Sequence, residues 1–199
     1  MKGAILFMLM LAAAHAGMRE AAAEPRAAVA VRTYNYAALS TVQLAAARSE
    51  TARIFERAGI SLEWIECRVP GVLEGAACTE PLVAGRDLML RLVDRIPAQG
   101  GRIVALGESM LDREQRGGVL MTIDVFPVRA IAEQAFTAVP TLLGRAIAHE
   151  IGHLLLGSAD HPRSGLMRAL WSRDELRSLR PAHWGFSDRE AAQMRQAVP

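Results

Sequence analysis

Lysine is all but missing from this chain of 199 residues: Lys2 is the only one, and every other basic side chain is arginine. Taking Lys2 from the 23 basic residues leaves 22 arginines against 21 acidic residues. With neither sign in clear excess, the sequence offers no electrostatic footprint for nucleic acid or an anionic membrane. Long apolar runs are lacking too. The run from Ala4 to Ala14 falls short of the roughly 20 residues a spanning helix needs, and no later segment comes closer. Cysteine is limited to Cys67 and Cys78, neither near the start, so nothing supports a lipid anchor. Internal repeats are absent.

What is present begins with a short leader. Residues 1–16, MKGAILFMLMLAAAHA, combine a basic start, an apolar stretch and an Ala14-His15-Ala16 pattern of the A-x-A cleavage type. They are expected to be a signal peptide, with 17–27 a flexible lead and the protein exported, secreted or periplasmic. Hydrophobic residues make up 51% of the chain, enough for one buried core in a length short for two, so 28–199 is read as a single domain. In an oxidising compartment Cys67 and Cys78 are expected to form a local disulfide; the alternative is two buried thiols.

Strand periodicity opens the domain, with Val29, Val31 and Thr33 alternating with Arg32, Tyr34 and Tyr36. Ser40 and Gln43 form a capping-box pattern for a helix that Gly59 closes, with Leu44, Ala47, Thr51, Phe55 and Ala58 on one face. Further strands are expected at 60–67, 87–94, 102–109 and 118–126. A helix over about 141–156, apolar on nearly every side and ended by Gly157, reads as buried. Ser187 and Glu190 open a terminal helix. The fold class is α+β: a mixed twisted sheet packed with an opening helix and the buried helix over 141–156, then an irregular tail with a terminal helix.

Three of the five histidines fall between residues 148 and 161. On a helix, His149 and His153 lie one turn apart on one face, about 6 Å along the axis. That spacing lets two imidazoles reach one metal ion at about 2.0–2.1 Å, while the offset of Glu150 leaves its carboxylate beside a water activated by that ion. The group H-E-x-x-H thus supplies two ligands and a base. Burying those three polar side chains without partners would be costly, and a metal provides the partners. Gly157 can take the left-handed conformation that turns the chain back, making His161 the candidate third ligand, with the adjacent Asp160 an alternative. Asp174 and Glu175 offer a further alternative from a later helix, although acidic residues in a first turn are simply explained by the helix dipole. His183 is read as a surface residue.

His149-Glu150-x-x-His153, Gly157, His161 and Gly165-Leu166-Met167 together resemble the metzincin metallopeptidases, whose motif HExxHxxGxxH is followed by a methionine turn. The HEIGH sequence is especially similar to matrixin-like members. The resemblance implies a zincin-type fold over about residues 28–171 and one catalytic Zn2+ on His149, His153 and His161, with Glu150 the general base. It also implies an edge strand near Ile103–Ser109, including Leu106 and Gly107, that pairs with an extended peptide. Met167 would form an apolar floor, and Leu170 and Trp171 would stand near the wall of the pocket beyond the scissile bond. The spacing departs from the family: three residues, not two, lie on each side of Gly157, and one extra helical residue rotates the break by about 100°. No inhibitory prodomain is expected, since only about a dozen residues separate the expected signal peptide from the first expected strand.

The expected function is that of a secreted zinc-dependent endopeptidase, a monomer acting on peptides or proteins. The alternatives are an exported module that keeps zinc only to hold its fold, and a zinc amide hydrolase with a non-peptide substrate.

Overall fold

The computed structural model describes residues 27–67, 75–94, 105–112 and 117–199. The expected leader, nearly all of the expected lead, and the start of the strand expected over 102–109 lie outside the described residues. A five-stranded sheet has the order β2-β1-β3-β5-β4. Its members are β1 (Ala27–Asn35), β2 (Ile60–Cys67), β3 (Asp87–Val93), β4 (Gly107–Asp112) and β5 (Gly117–Asp124). All neighbours are parallel except β4, which runs antiparallel to β5 at one edge. The strand expected up to Ser109 is therefore shifted along the chain, starting at Gly107 and continuing to Asp112.

The helices α1 (Thr41–Arg57) and α4 (Val139–Leu156) pack on one another and cover one face of this sheet, α1 against β2 and α4 against β4 and β5. Register brings Val31 beside both Trp64 and Leu88, and Leu90 beside Met121, so alternate side chains of successive strands meet the helices as one apolar layer. The capping box of Ser40 and Gln43 opens α1 as the sequence predicts, and Gly59 follows it at φ +78°. Gly144 lets the two helices approach, since a Cβ there would lie 2.5 Å from the Ala47 carbonyl oxygen. On the other side of the sheet the Cys67–Cys78 disulfide ties the short helix α2 (Ala76–Thr79) to β2, and Arg32 donates to the Glu80 carbonyl at 2.5 Å.

Besides the short α2, the helix that follows β5 went unpredicted. The stretch expected to remain strand to residue 126 leaves the sheet at Asp124, whose carboxylate accepts from the Phe126 backbone N–H and caps α3 (Val125–Ala135). Val125 and Phe126 favour strands, but the cap turns them into a first helical turn, where Pro127 needs no donor. The tail carries α5 (Arg173–Arg177), a 3-10 turn (Pro181–His183) and α6 (Asp188–Ala197). Ser172 with Glu175 and Ser187 with Glu190 form the capping boxes of α5 and α6. Among the described residues no helix is long and apolar enough to cross a membrane.

Candidate metal centre

From Leu142 to Leu155 every residue of α4 is buried, so polar side chains on it must find partners inside the protein. His149, Glu150 and His153 are 8%, 7% and 6% exposed. The helix ends at Gly157, which takes φ +61° and donates its N–H to the His153 carbonyl. Although the break stands one residue later than in the metzincin pattern, the equally lengthened return still delivers His161. The Nε2 atom of His153 lies 3.0 Å from that of His149 and 3.2 Å from that of His161. Among the described residues these three form the one group whose ligand atoms converge closely enough for a metal.

The ring orientations are fixed from behind. His149 Nδ1 lies 2.9 Å from the Leu166 carbonyl oxygen and His153 Nδ1 lies 2.7 Å from that of Ser158. A carbonyl only accepts, so each Nδ1 carries the hydrogen and each Nε2 presents a lone pair to the common point. Two facing lone pairs 3.0 Å apart repel unless a cation lies between them, which is how these residues fit a bound metal. Burial, aided by the nearby His153 and His161, pushes the His149 imidazole down to about 4 against the pull of the Leu166 carbonyl. Burial also lowers His153. Both rings are therefore held neutral, the form that ligates.

Beside them, the Glu150 carboxyl is raised to about 7, chiefly by burial, with the Ser109 hydroxyl opposing and the charge of Glu108 adding to the rise. Ser109 on β4 donates to Glu150 Oε2 at 2.6 Å. Its hydroxyl is also 2.9 Å from the Glu150 backbone carbonyl. Gly107 makes room for this contact, because a Cβ there would meet Ile123 Cδ1 at 2.6 Å and Glu150 Cγ at 2.9 Å. Leu106 precedes the strand, packs partly against the core and accepts from the Asp124 N–H through its carbonyl. The edge strand thus lies directly against the helix carboxylate.

Below the helix, Met167 is buried, and its sulfur would stand 2.5 Å from a Cβ on Gly152, the residue between the two helix ligands. Trp171 sets its ring edge-on to His149 with centroids 5.6 Å apart and donates its indole N–H to the Leu166 carbonyl at 3.2 Å. Leu170 is 64% exposed. Asp160 is exposed outside the cluster, and Glu175 pairs with Arg168 while closing its capping box, so neither it nor the exposed Asp174 joins the histidines. His183 is half-buried, and its Nδ1 finds no partner among the described residues, correcting the surface reading. Sequence reasoning missed Ser109, whose only signal is its place in the edge strand, and the link by which Trp184 stacks edge-on to Trp171 at 5.1 Å.

The sequence matches no protein-family model and no curated protein sequence. Solved structures do match. One is an archaemetzincin from Methanopyrus kandleri, with a TM-score of 0.56 and 12% identity over 88% of this chain and 98% of that one. Another is a zinc-dependent peptidase from Methanocorpusculum labreanum, with a TM-score of 0.56 and 11% identity, covering 82% of this chain and 99% of the other. A third is metalloproteinase-II from Bacteroides fragilis, with a TM-score of 0.51 and 13% identity, covering 87% of this chain and 54% of that one. At such identities the likeness is one of fold, and the fold is similar to that of these zinc peptidases.

Proposed function

We propose that this chain is an exported zinc-dependent endopeptidase. The observation that carries the reading is the convergence of three imidazole Nε2 atoms beside a carboxylate that an edge strand holds in place. His149, His153 and His161 would hold the ion. Bound zinc supplies Lewis acidity, polarising a scissile carbonyl and acidifying a water.

The chain's own residues do the rest. Ser109 occupies Oε2 of Glu150, leaving Oε1 to take a proton from water and pass it to the leaving amine. Burial favours this exchange by bringing the carboxyl close to neutral pH. An extended peptide would add to the outer edge of β4 through main-chain hydrogen bonds, with Leu106 and Gly107 at its start, and Leu170 and Trp171 would line the far side. Met167 would floor the ion. Export is supported by the leader-like start and by the disulfide, a bond that oxidising compartments preserve.

The test is cleavage of a diverse peptide library by zinc-loaded residues 17–199, read by mass spectrometry beside Glu150→Ala. The variant should keep its zinc and lose turnover by about 10²-fold or more. Equal cleavage by both proteins would remove Glu150 from the mechanism. No cleavage by the zinc-loaded parent would favour a metal that only stabilises the fold.

A further inference from the structure

Arg145 precedes His149 by one turn of α4 and is 2% exposed. Its guanidinium carbon lies 3.8 Å from the centroid of the Trp184 ring. Nε donates to Glu50 at 3.3 Å, Nη1 to the Leu176 carbonyl at 2.9 Å and Nη2 to the Ser178 carbonyl at 3.1 Å. A guanidinium has five N–H donors, and these contacts use three of them.

Beside it lies a pocket of about 240 Å³ whose lining includes Glu50, Arg53, Arg57, Thr141, Arg145 and Trp184. Three guanidinium groups face one carboxylate there, a surplus of two positive charges. Glu50 is already divided between Arg145 and Arg53. Arg57 donates to the Trp184 carbonyl at 2.7 Å and has no carboxylate partner among the described residues. Burial pulls both Arg57 and Arg145 below the ordinary arginine range, and the like charge of Arg53 adds to it as the smaller cause. Thr141 adds the first turn of α4, a helix with no side-chain cap and no acidic residue at that end. The helix dipole there adds to the positive field.

We propose that this pocket binds a dianionic oxyanion of the phosphate class, whose charge of about −1.5 to −2 at neutral pH matches the surplus. Arg53 and Arg57 close on it from the mouth, and Arg145 with the Thr141 turn forms the inner wall. The site is separate from the metal centre and does not depend on the peptidase reading.

Isothermal titration calorimetry of inorganic phosphate into the zinc-loaded protein, at constant ionic strength with chloride as the reference, tests it. Saturable binding is expected, weakened at least tenfold in Arg53→Gln and in Arg57→Gln and unchanged in Arg91→Gln, whose arginine lies on β3. Arg53 is mostly exposed, so its replacement should leave the circular dichroism of the protein intact. A phosphate monoester titrated in parallel distinguishes the source: equal or tighter binding means that the pocket accepts phosphate carried on a larger molecule, and exclusion means the free anion. Either result supports the site. Phosphate held by the zinc ion would survive Arg53→Gln undiminished, and that outcome, like the absence of saturable binding, overturns the proposal.

Discussion

Two single side chains decide how well the centre is built. At Gly152 an added methyl group would sit 2.5 Å from Met167 Sδ and 2.9 Å from Phe186 Cε1. Alanine gains up to about 1 kcal/mol of helix propensity over glycine, while overpacking a closed core costs about 1–3 kcal/mol. The second effect should win, because Met167 is only 1% exposed and has little room to swing aside. Gly152→Ala is expected to lower the urea midpoint by an amount worth about 1 kcal/mol; an unchanged or higher midpoint would mean that the thioether moves freely. Ser109→Ala removes a hydrogen bond to a charged group, worth about 1.5–3 kcal/mol. On the peptidase reading kcat should fall about tenfold to a hundredfold with zinc content unchanged, and a variant that loses its zinc instead would make Ser109 a structural prop. The sequence announced His149, Glu150 and His153 because their relation is local to one helix. It did not announce Ser109, which reaches Glu150 across 41 positions, or Arg145, since an arginine within an apolar helix reads as a solvated side chain until the tail is seen to cover it.

Between elements, the contact easiest to test by acid is the one joining the Leu166–Met167 turn to α5. Glu175 accepts from Arg168 and closes the capping box of Ser172, and its carboxyl falls from about 4.5 to about 2, first because of the Arg168 bond and then because of Ser172. A carboxyl depressed in the folded state stabilises fully above its unfolded value and loses that contribution as pH falls through its folded value. The stability gap between the parent and Arg168→Ala should therefore be widest above about pH 4.5 and close towards pH 2. A gap that stayed constant across that range in urea titrations would show that Arg168 acts by packing alone. Which elements exist was largely legible: caps at Ser40 and Ser187 and the glycine after α4 all stand where the sequence put them. The helix α3 was not, because Val125 and Phe126 carry a strand preference that only the Asp124 cap overrides.

For the molecule as a whole, the order of strands was the illegible part. Inserting β3 between β1 and β5 is a matter of pairing between distant segments, which periodicity within a segment does not encode. The disulfide between Cys67 and Cys78, by contrast, could be read from the two cysteines and the short loop between them, on the expectation of an oxidising compartment. It closes a loop of sequence separation 11, and restricting such a loop in the unfolded chain stabilises by about 2–3 kcal/mol. Reduction should lower stability by about that much while zinc content persists, because the bond fastens α2 over β2, and the sheet order puts β2 at the edge opposite β4 and the histidines. Loss of the metal on reduction would mean that the two regions unfold together. The atoms that orient His149 and His153 are main-chain carbonyls, those of Leu166 and Ser158. Every amino acid carries that group, so positions 158 and 166 can drift in identity without deleting the partner. At those two places the centre asks only for a backbone position, and its tolerance to substitution there comes from the path of the chain and not from a particular side chain.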